Sequence, residues 1–159
     1  LGAYEDDLAR LIEEYERIKA ECGLLDYDDL LFLLERLLTE HPHVREAVTS
    51  SISHIMVDEY QDTNLVQARL VRLLTRPGDE RPNVMAVGDD AQSIYAFRGA
   101  NVKNILDFPR TFPGTKVIKL EQNYRSTQPI LELTNAILDG FREKFCKRLF
   151  SERADSRLP

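Results

Sequence analysis

Asp58 and Glu59 stand side by side directly after a short apolar run, Ile52, Ile55, Met56 and Val57, and are followed by Gln61, Asp62 and Thr63. No Gly or Pro interrupts the passage to mark a simple turn. A buried parallel strand ends in this way when its carboxyl edge carries chemistry. At such an edge the first acid suits Mg²⁺, held usually through water, and the second suits polarising a water aimed at a phosphorus. The competing reading is structural: an acidic strand-to-helix turn in which Asp62 or Thr63 caps the next helix.

Two further stretches repeat the pattern. Val84-Met85-Ala86-Val87 reads as a second short strand and runs into Gly88-Asp89-Asp90, with Gln92 next and Tyr95, Phe97 and Arg98 just beyond. A neutral amide at that edge can contact a terminal phosphate without competing for the metal, and its hydrogen bond is lost when the phosphate leaves. Two aromatic rings and an arginine suit stacking on unpaired bases and bonding their phosphates. Core packing for the rings and a surface ion pair for Arg98 are the alternatives. In the third stretch, Leu120-Glu121-Gln122-Asn123-Tyr124-Arg125-Ser126, a strand candidate over Lys116–Leu120 closes on polar groups and a helix opens. There Arg125 can reach a transferring phosphate, and Tyr124 offers a ring to a purine.

Taken together, the three stretches resemble the motifs of the UvrD/Rep/PcrA group of superfamily one DNA helicases. Val57–Thr63 is similar to motif II, Val87–Ala100 to motif III and Leu120–Ser126 to motif IV. Asp26-Tyr27-Asp28-Asp29-Leu30 resembles the Asp-aromatic-x-Asp-Leu segment that precedes motif II in that group, and the likeness runs from about Asp26 to Ala136. The resemblance implies ATP and Mg²⁺ as cofactors, with Asp58 on the metal, Glu59 activating water, Gln92 sensing the γ-phosphate, Arg125 stabilising its transition-state charge and Tyr124 stacking on adenine. It implies that Tyr95, Phe97 and Arg98 contact single-stranded DNA and that Gln61 couples the two sites. Phe97 departs from the Trp common in the group, which keeps a stacking ring but a smaller one.

The elements that must position these residues are legible as periodicity. Leu8, Leu11, Ile12, Tyr15, Ile18 and Cys22 recur at helical steps, and Gly23 follows as a stop. Asp26-Tyr27-Asp28-Asp29 offers an N-cap and an acidic first turn to a second helix over Leu30–Glu40, apolar nearly all round at Leu30–Leu34 and so expected to be buried or to face something outside the chain. Pro42 breaks it, and a shorter helix near Val44–Ser50 precedes the central strand. Leu65, Val66, Leu70, Leu73 and Leu74 mark another helix; a short helix and turn are expected over 101–115. Ser126 is placed as the cap of a last helix that carries Ile130, Leu133, Ile137, Phe141 and Phe145 on one face, and beyond Phe150 a polar tail is expected that frays or continues into a further part.

Composition sets the outer limits. The 159 residues, 43% hydrophobic and 30% charged, allow one domain or parts of two with a real core. Neither a membrane-length apolar run nor a secretory leader is legible, and Cys22 and Cys146 read as reduced thiols, so a cytoplasmic protein without membrane partners is expected. The net charge of −6 argues against coating nucleic acid by bulk electrostatics. Residues 1–90 nevertheless hold 9 basic and 20 acidic side chains, whereas 91–159 hold 12 basic and 7 acidic, so a polyanion is expected to meet the second half.

The reading is an α/β chain: a partial RecA-like parallel sheet of the P-loop NTPase type with flanking helices, preceded by a helical subdomain segment. Residues 1–50 are expected to end an inserted helical subdomain, 51–121 to form the second half of a first motor domain, and 122–159 to start a second. Its partners are expected to be single-stranded DNA, duplex–single-strand junctions and the remaining helicase domains, in the setting of DNA repair. None of the seven glycines is followed by Lys, so a P-loop is missing and the chain alone is not expected to hydrolyse ATP. Alternatives are the motor part of a helicase–nuclease recombination subunit, a metal-dependent nuclease using Asp58, Glu59 and Asp62, and a non-enzymatic single-strand binding module.

Overall fold

A computed structural model describes residues 4–79, 82–141 and 144–153, the side chain of Arg98 excepted; the tail expected to fray lies mostly outside them. Helix α1 spans Glu5–Cys22, and Gly23 ends it in the left-handed conformation (φ 64°) that lets its amide bond back to the last turn. Helix α2, Tyr27–Glu40, starts three residues before the expected Leu30. Asp26 accepts from the Asp29 amide while the Asp29 carboxylate accepts from the Asp26 amide, a reciprocal capping box. Both acids also bind Lys19 Nζ, at 2.9 and 2.8 Å, and Glu16 joins at 2.9 Å. The first function of the Asp26–Leu30 segment is therefore to lock α1 to α2 around one buried ammonium. Hydrogen bonding to Asp29 first of all holds Lys19 well above the usual lysine range, and the Asp29 amide holds Asp26 well below the carboxylate range.

Helix α3, Pro42–Ser50, has Pro in its first turn, where a missing N–H costs nothing. Strand β1, Ile55–Val57, pairs in parallel with β2, Val84–Ala86, in the register Ile55 with Val84, Met56 with Met85 and Val57 with Ala86. Helix α4, Leu65–Leu73, connects them; its cap is Asn64, in a capping box with Gln67, and not Asp62 or Thr63. The ends of α3 and α4 exchange arginines. Arg45 donates to the carbonyls of Leu73 and Thr75, and Arg76 to those of Thr49 and Ser50, so each helix's bare carboxyl end is met by a cation from the other's side.

Two short helices, α5 (Lys103–Leu106) and α6 (Phe108–Thr111), carry Ile105 and Phe108 into the core. With Tyr60, Val71 and Phe112 these form one buried cluster, against which Ile55, Val57, Val84 and Ala86 lay one face of the sheet. Tyr60 meets Phe108 edge-on at 5.3 Å between ring centres. The sheet's other face is bare, with Met56 73% exposed, so β1 is covered on one side and not buried as a strand of a full parallel sheet is.

Three expectations are corrected. Lys116–Leu120 forms no strand: its alternation has no partner edge to pair with, and the nearest pairing is a single parallel bridge from Gln122 to Phe150. Helix α7, Gln128–Asp139, has Thr127 at its N-cap without a side-chain bond, and Ser126 does not cap it. It buries Leu131, whereas Leu133 and Ile137 of the expected core face lie exposed. Among the described residues no helix is long and apolar enough to cross a membrane.

Candidate functional site

β1 delivers Asp58 and Glu59 to the carboxyl edge of the sheet, both exposed. Glu59 takes φ 49°, ψ 42°, the left-handed region, and is the one non-glycine residue to do so among those described. Such a conformation costs a β-carbon-bearing residue about 1–2 kcal/mol, so the surroundings must hold it. They do so from both sides. Val87 N–H donates to Val57 O at 2.8 Å and Tyr60 N–H donates to Val87 O at 2.9 Å, which carries the β1–β2 ladder past the acidic pair. After the single 3₁₀ turn Tyr60–Asp62, Asn104 of α5 donates to the carbonyls of Thr63 and Asn64, at 2.9 and 3.2 Å.

Gln61 is the hub of this edge and is 1% exposed. Its Nε2 donates to Glu59 Oε2 at 2.7 Å, its Oε1 accepts from the Asp89 amide at 3.0 Å, and its backbone carbonyl accepts from Ser93 Oγ at 3.2 Å. One buried carboxamide thus ties the acids after β1 to the loop after β2. A β-carbon on Gly88 would lie 2.3 Å from Gln61 Oε1 and 2.8 Å from Ile105 Cδ1, so glycine is what lets the second loop come this close. Asp62 Oδ1 is buried without a hydrogen-bond partner among the described residues.

Asp89 organises the second loop. Its side chain caps the 3₁₀ turn Asp90–Gln92 through the Ala91 amide, and its Oδ2 accepts from Gln92 Nε2 at 2.8 Å. Lys147, which sequence reasoning passed over, bonds Asp89 and also Asp90, the latter at 2.7 Å. Burial alone would raise the Asp89 carboxyl, but the bonds from Gln92, Lys147 and the Ala91 amide outweigh it and hold the group below its ordinary value. Burial would likewise lower Lys147, and the two aspartates outweigh that and raise it.

Tyr95 and Phe97 lie with ring centres 6.0 Å apart and planes tilted by 48°; Phe97 is 77% exposed, so neither ring is the core packing that was the alternative. The backbone of Arg98 closes the 3₁₀ turn Ala96–Arg98, and its side chain lies outside the description. Tyr124 and Arg125 are both exposed, the tyrosine hydroxyl donating to Gln122 Oε1 at 2.8 Å. No hydrogen bond or ring contact among the described residues joins either to Asp58, Glu59 or Gln92. Asn123 instead folds the backbone there, its Oδ1 accepting from the amides of Arg125 and Ser126 at 2.8 and 2.7 Å.

Gln61, Asn104 and Lys147 join the acids and Gln92 at this edge. Gln61 was named in advance only through the resemblance; Asn104, four residues past the stretch that ends at Ala100, and Lys147, well beyond Ser126, carry no local signal.

Known proteins match this chain over most of its length. It is 45% identical over 138 residues to the ATP-dependent DNA helicase Rep of Salmonella typhimurium, covering 87% of this chain and 20% of that protein. To DNA helicase II of Escherichia coli it is 40% identical over 151 residues, 95% of this chain and 21% of the relative. To the ATP-dependent DNA helicase UvrD1 of Mycobacterium bovis it is 41% identical over 161 aligned residues, 96% and 21%. The chain thus spans about one-fifth of the length of these relatives. The UvrD/REP helicase N-terminal domain, as a family, matches residues 2–113, which takes in both strands and the whole edge from Asp58 to Phe97, and the chain belongs to that family.

Proposed function

We propose that the chain is the part of an ATP-dependent DNA helicase or translocase that holds the metal, activates water and passes loss of the γ-phosphate to single-stranded DNA. The observation that carries this reading is Gln61, buried between the acids that follow β1 and the loop that carries Gln92, Tyr95 and Phe97. The relatives, ATP-dependent DNA helicases, support ATP and DNA as the ligands. On this reading residues 1–50 end a helical subdomain, 51–121 are the second half of a RecA-like motor domain, and 122–159 open a second one.

The donor set fits a hard divalent cation. Asp58 presents an exposed carboxylate at the strand end, the type of oxygen donor such a cation takes. Mg²⁺, when bound, supplies charge neutralisation at the phosphates. Asp58 holds it, while Glu59, fixed by its left-handed backbone and by Gln61, takes the proton from the attacking water. Gln92 hydrogen-bonds the γ-phosphate and Arg125 offsets its developing charge. Tyr124 stacks on the adenine, and Tyr95, Phe97 and Arg98 stack on and bind the DNA strand.

The test is DNA-stimulated ATP hydrolysis by the full-length protein carrying this segment, beside the same protein with Glu59→Gln. Loss of a general base is expected to lower kcat by about 10²–10⁴-fold. The chain alone, lacking a P-loop, is expected to be inactive. Glu59-independent turnover in the full-length protein would overturn the assignment of the base.

A further inference from the structure

Lys147 belongs to no helix or strand, yet its side chain is only 17% exposed. Segment 144–153 brings it to the second loop from the far end of the chain. It arrives there held on both sides: Phe145 packs against the central cluster, and the Phe145 amide donates to Asp90 Oδ2 at 3.1 Å. Asp90, with a side chain 5% exposed, uses its other oxygen for Lys147 at 2.7 Å. The ammonium is therefore placed independently of Asp89, and Asp89 responds to it.

The two oxygens of Asp89 are differently engaged. Oδ1 faces Lys147 and the Ala91 amide, and Oδ2 accepts from Gln92 Nε2 at 2.8 Å. The carboxylate cannot turn about its own axis without giving up one set of bonds. The charge-assisted bond to a partly buried ammonium is the stronger of them. It decides where Oδ2 lies, and Oδ2 decides where the exposed carboxamide of Gln92 points.

We propose that Lys147 is a positioning residue for Gln92, acting through Asp89. The inference rests on the reading of Gln92 as the phosphate-sensing amide and extends it to a second part of the chain. The same segment holds the third motif: Arg148 N–H donates to Glu121 Oε1 at 2.7 Å, Asn123 N–H to Phe150 O at 2.8 Å, and Phe150 N–H to Glu121 O at 3.0 Å. Lys147 is thus rigidly continuous with the stretch that carries Tyr124 and Arg125. A displacement of that stretch relative to the strand edge changes the orientation of Gln92.

A double-mutant cycle on DNA-stimulated ATP hydrolysis by the full-length protein tests this, using Lys147→Met, Gln92→Ala and the two combined, with Lys147→Arg as the conservative variant. Lys147→Met is expected to lower kcat about tenfold, within the loss that a 1 Å misplacement produces, with KM for ATP little changed. Lys147→Arg is expected to recover most of it, and the combined variant to be no slower than Gln92→Ala alone. Multiplying losses in the combined variant, or full activity in Lys147→Met, would overturn the proposal while leaving the sensing role of Gln92 intact. Unchanged activity in Gln92→Ala would overturn that role and the proposal with it. Melting temperatures are measured alongside, and if Lys147→Met melts below the assay temperature the cycle is read with Lys147→Gln.

Discussion

At the scale of single residues, the edge depends on buried polar groups that have no spare partners. Gln61→Leu keeps the shape of the side chain but leaves the Asp89 amide without its acceptor and Glu59 without its donor. An orphaned buried group of this kind costs about 1–3 kcal/mol, read as a lower urea midpoint with unchanged slope. A midpoint equal to wild type would show that water replaces the carboxamide freely. The Asp89–Lys147 pair makes a prediction in pH. Asp89 is held below its ordinary value, so its contribution is present above about pH 4 and is lost as pH falls through the folded-state value. Lys147 is raised, so its contribution is complete below about pH 10 and fades only as pH rises through its folded-state value. The melting-temperature difference between wild type and Lys147→Met is therefore expected to be flat through neutral pH and to shrink in acid below about pH 4. A difference that shrank near pH 6.5 instead would point to histidine and away from this pair.

Elements bring these residues together by close approach. β1 and β2 are only three residues each, and the ladder hydrogen bonds from Val87 and Tyr60 extend the pairing to where the acids and Gly88 lie side by side. Gly88→Ala places a methyl group 2.3 Å from Gln61 Oε1 and 2.8 Å from Ile105 Cδ1, and its nearest backbone neighbour is Tyr60 N at 3.2 Å. Gln61 cannot retreat without abandoning Glu59 and Asp89, so the substitution is expected to destabilise by about 1–3 kcal/mol and to lower ATP turnover in the full-length protein. A stable, fully active Gly88→Ala protein would mean that the two loops separate easily. The helices α3 and α4 illustrate the same dependence on contact: the Arg45 and Arg76 exchange joins two helix ends far apart in sequence, and neither arginine announces it.

Over the whole molecule, apolar faces outnumber the elements that cover them. Leu11 of α1 is 68% exposed, Phe32 of α2 57%, Met56 of β1 73% and Leu133 of α7 65%, and no described element lies over these stripes. Exposed apolar side chains repeated along several elements are the kind of surface an interface covers. In isolation the chain is expected to bind a hydrophobic dye in its folded state and to sediment as concentration-dependent oligomers, while Leu11→Glu with Leu133→Glu reduces both. A monomeric chain that binds no dye would show that the stripes fold onto one another in solution.

Periodicity and side-chain chemistry determined the helices α1, α2, α4 and α7, the two strands, the acids after the first and Gln92 in the loop after the second, because each is written in local spacing or local residue type. The Gly23 stop, and a cap somewhere in Asp26–Asp29, were legible for the same reason; that Asp26 is the cap was settled by the fold. Only the tertiary structure decided whether an apolar alternation found an edge to pair with, which Lys116–Leu120 did not, and which face of α7 was buried, which was that of Leu131. It alone brought Asn104 to Thr63 and Lys147 to Asp89. Those pairings are set by packing between segments distant in the chain, and a side chain's type does not reveal which distant group will face it once the core has closed.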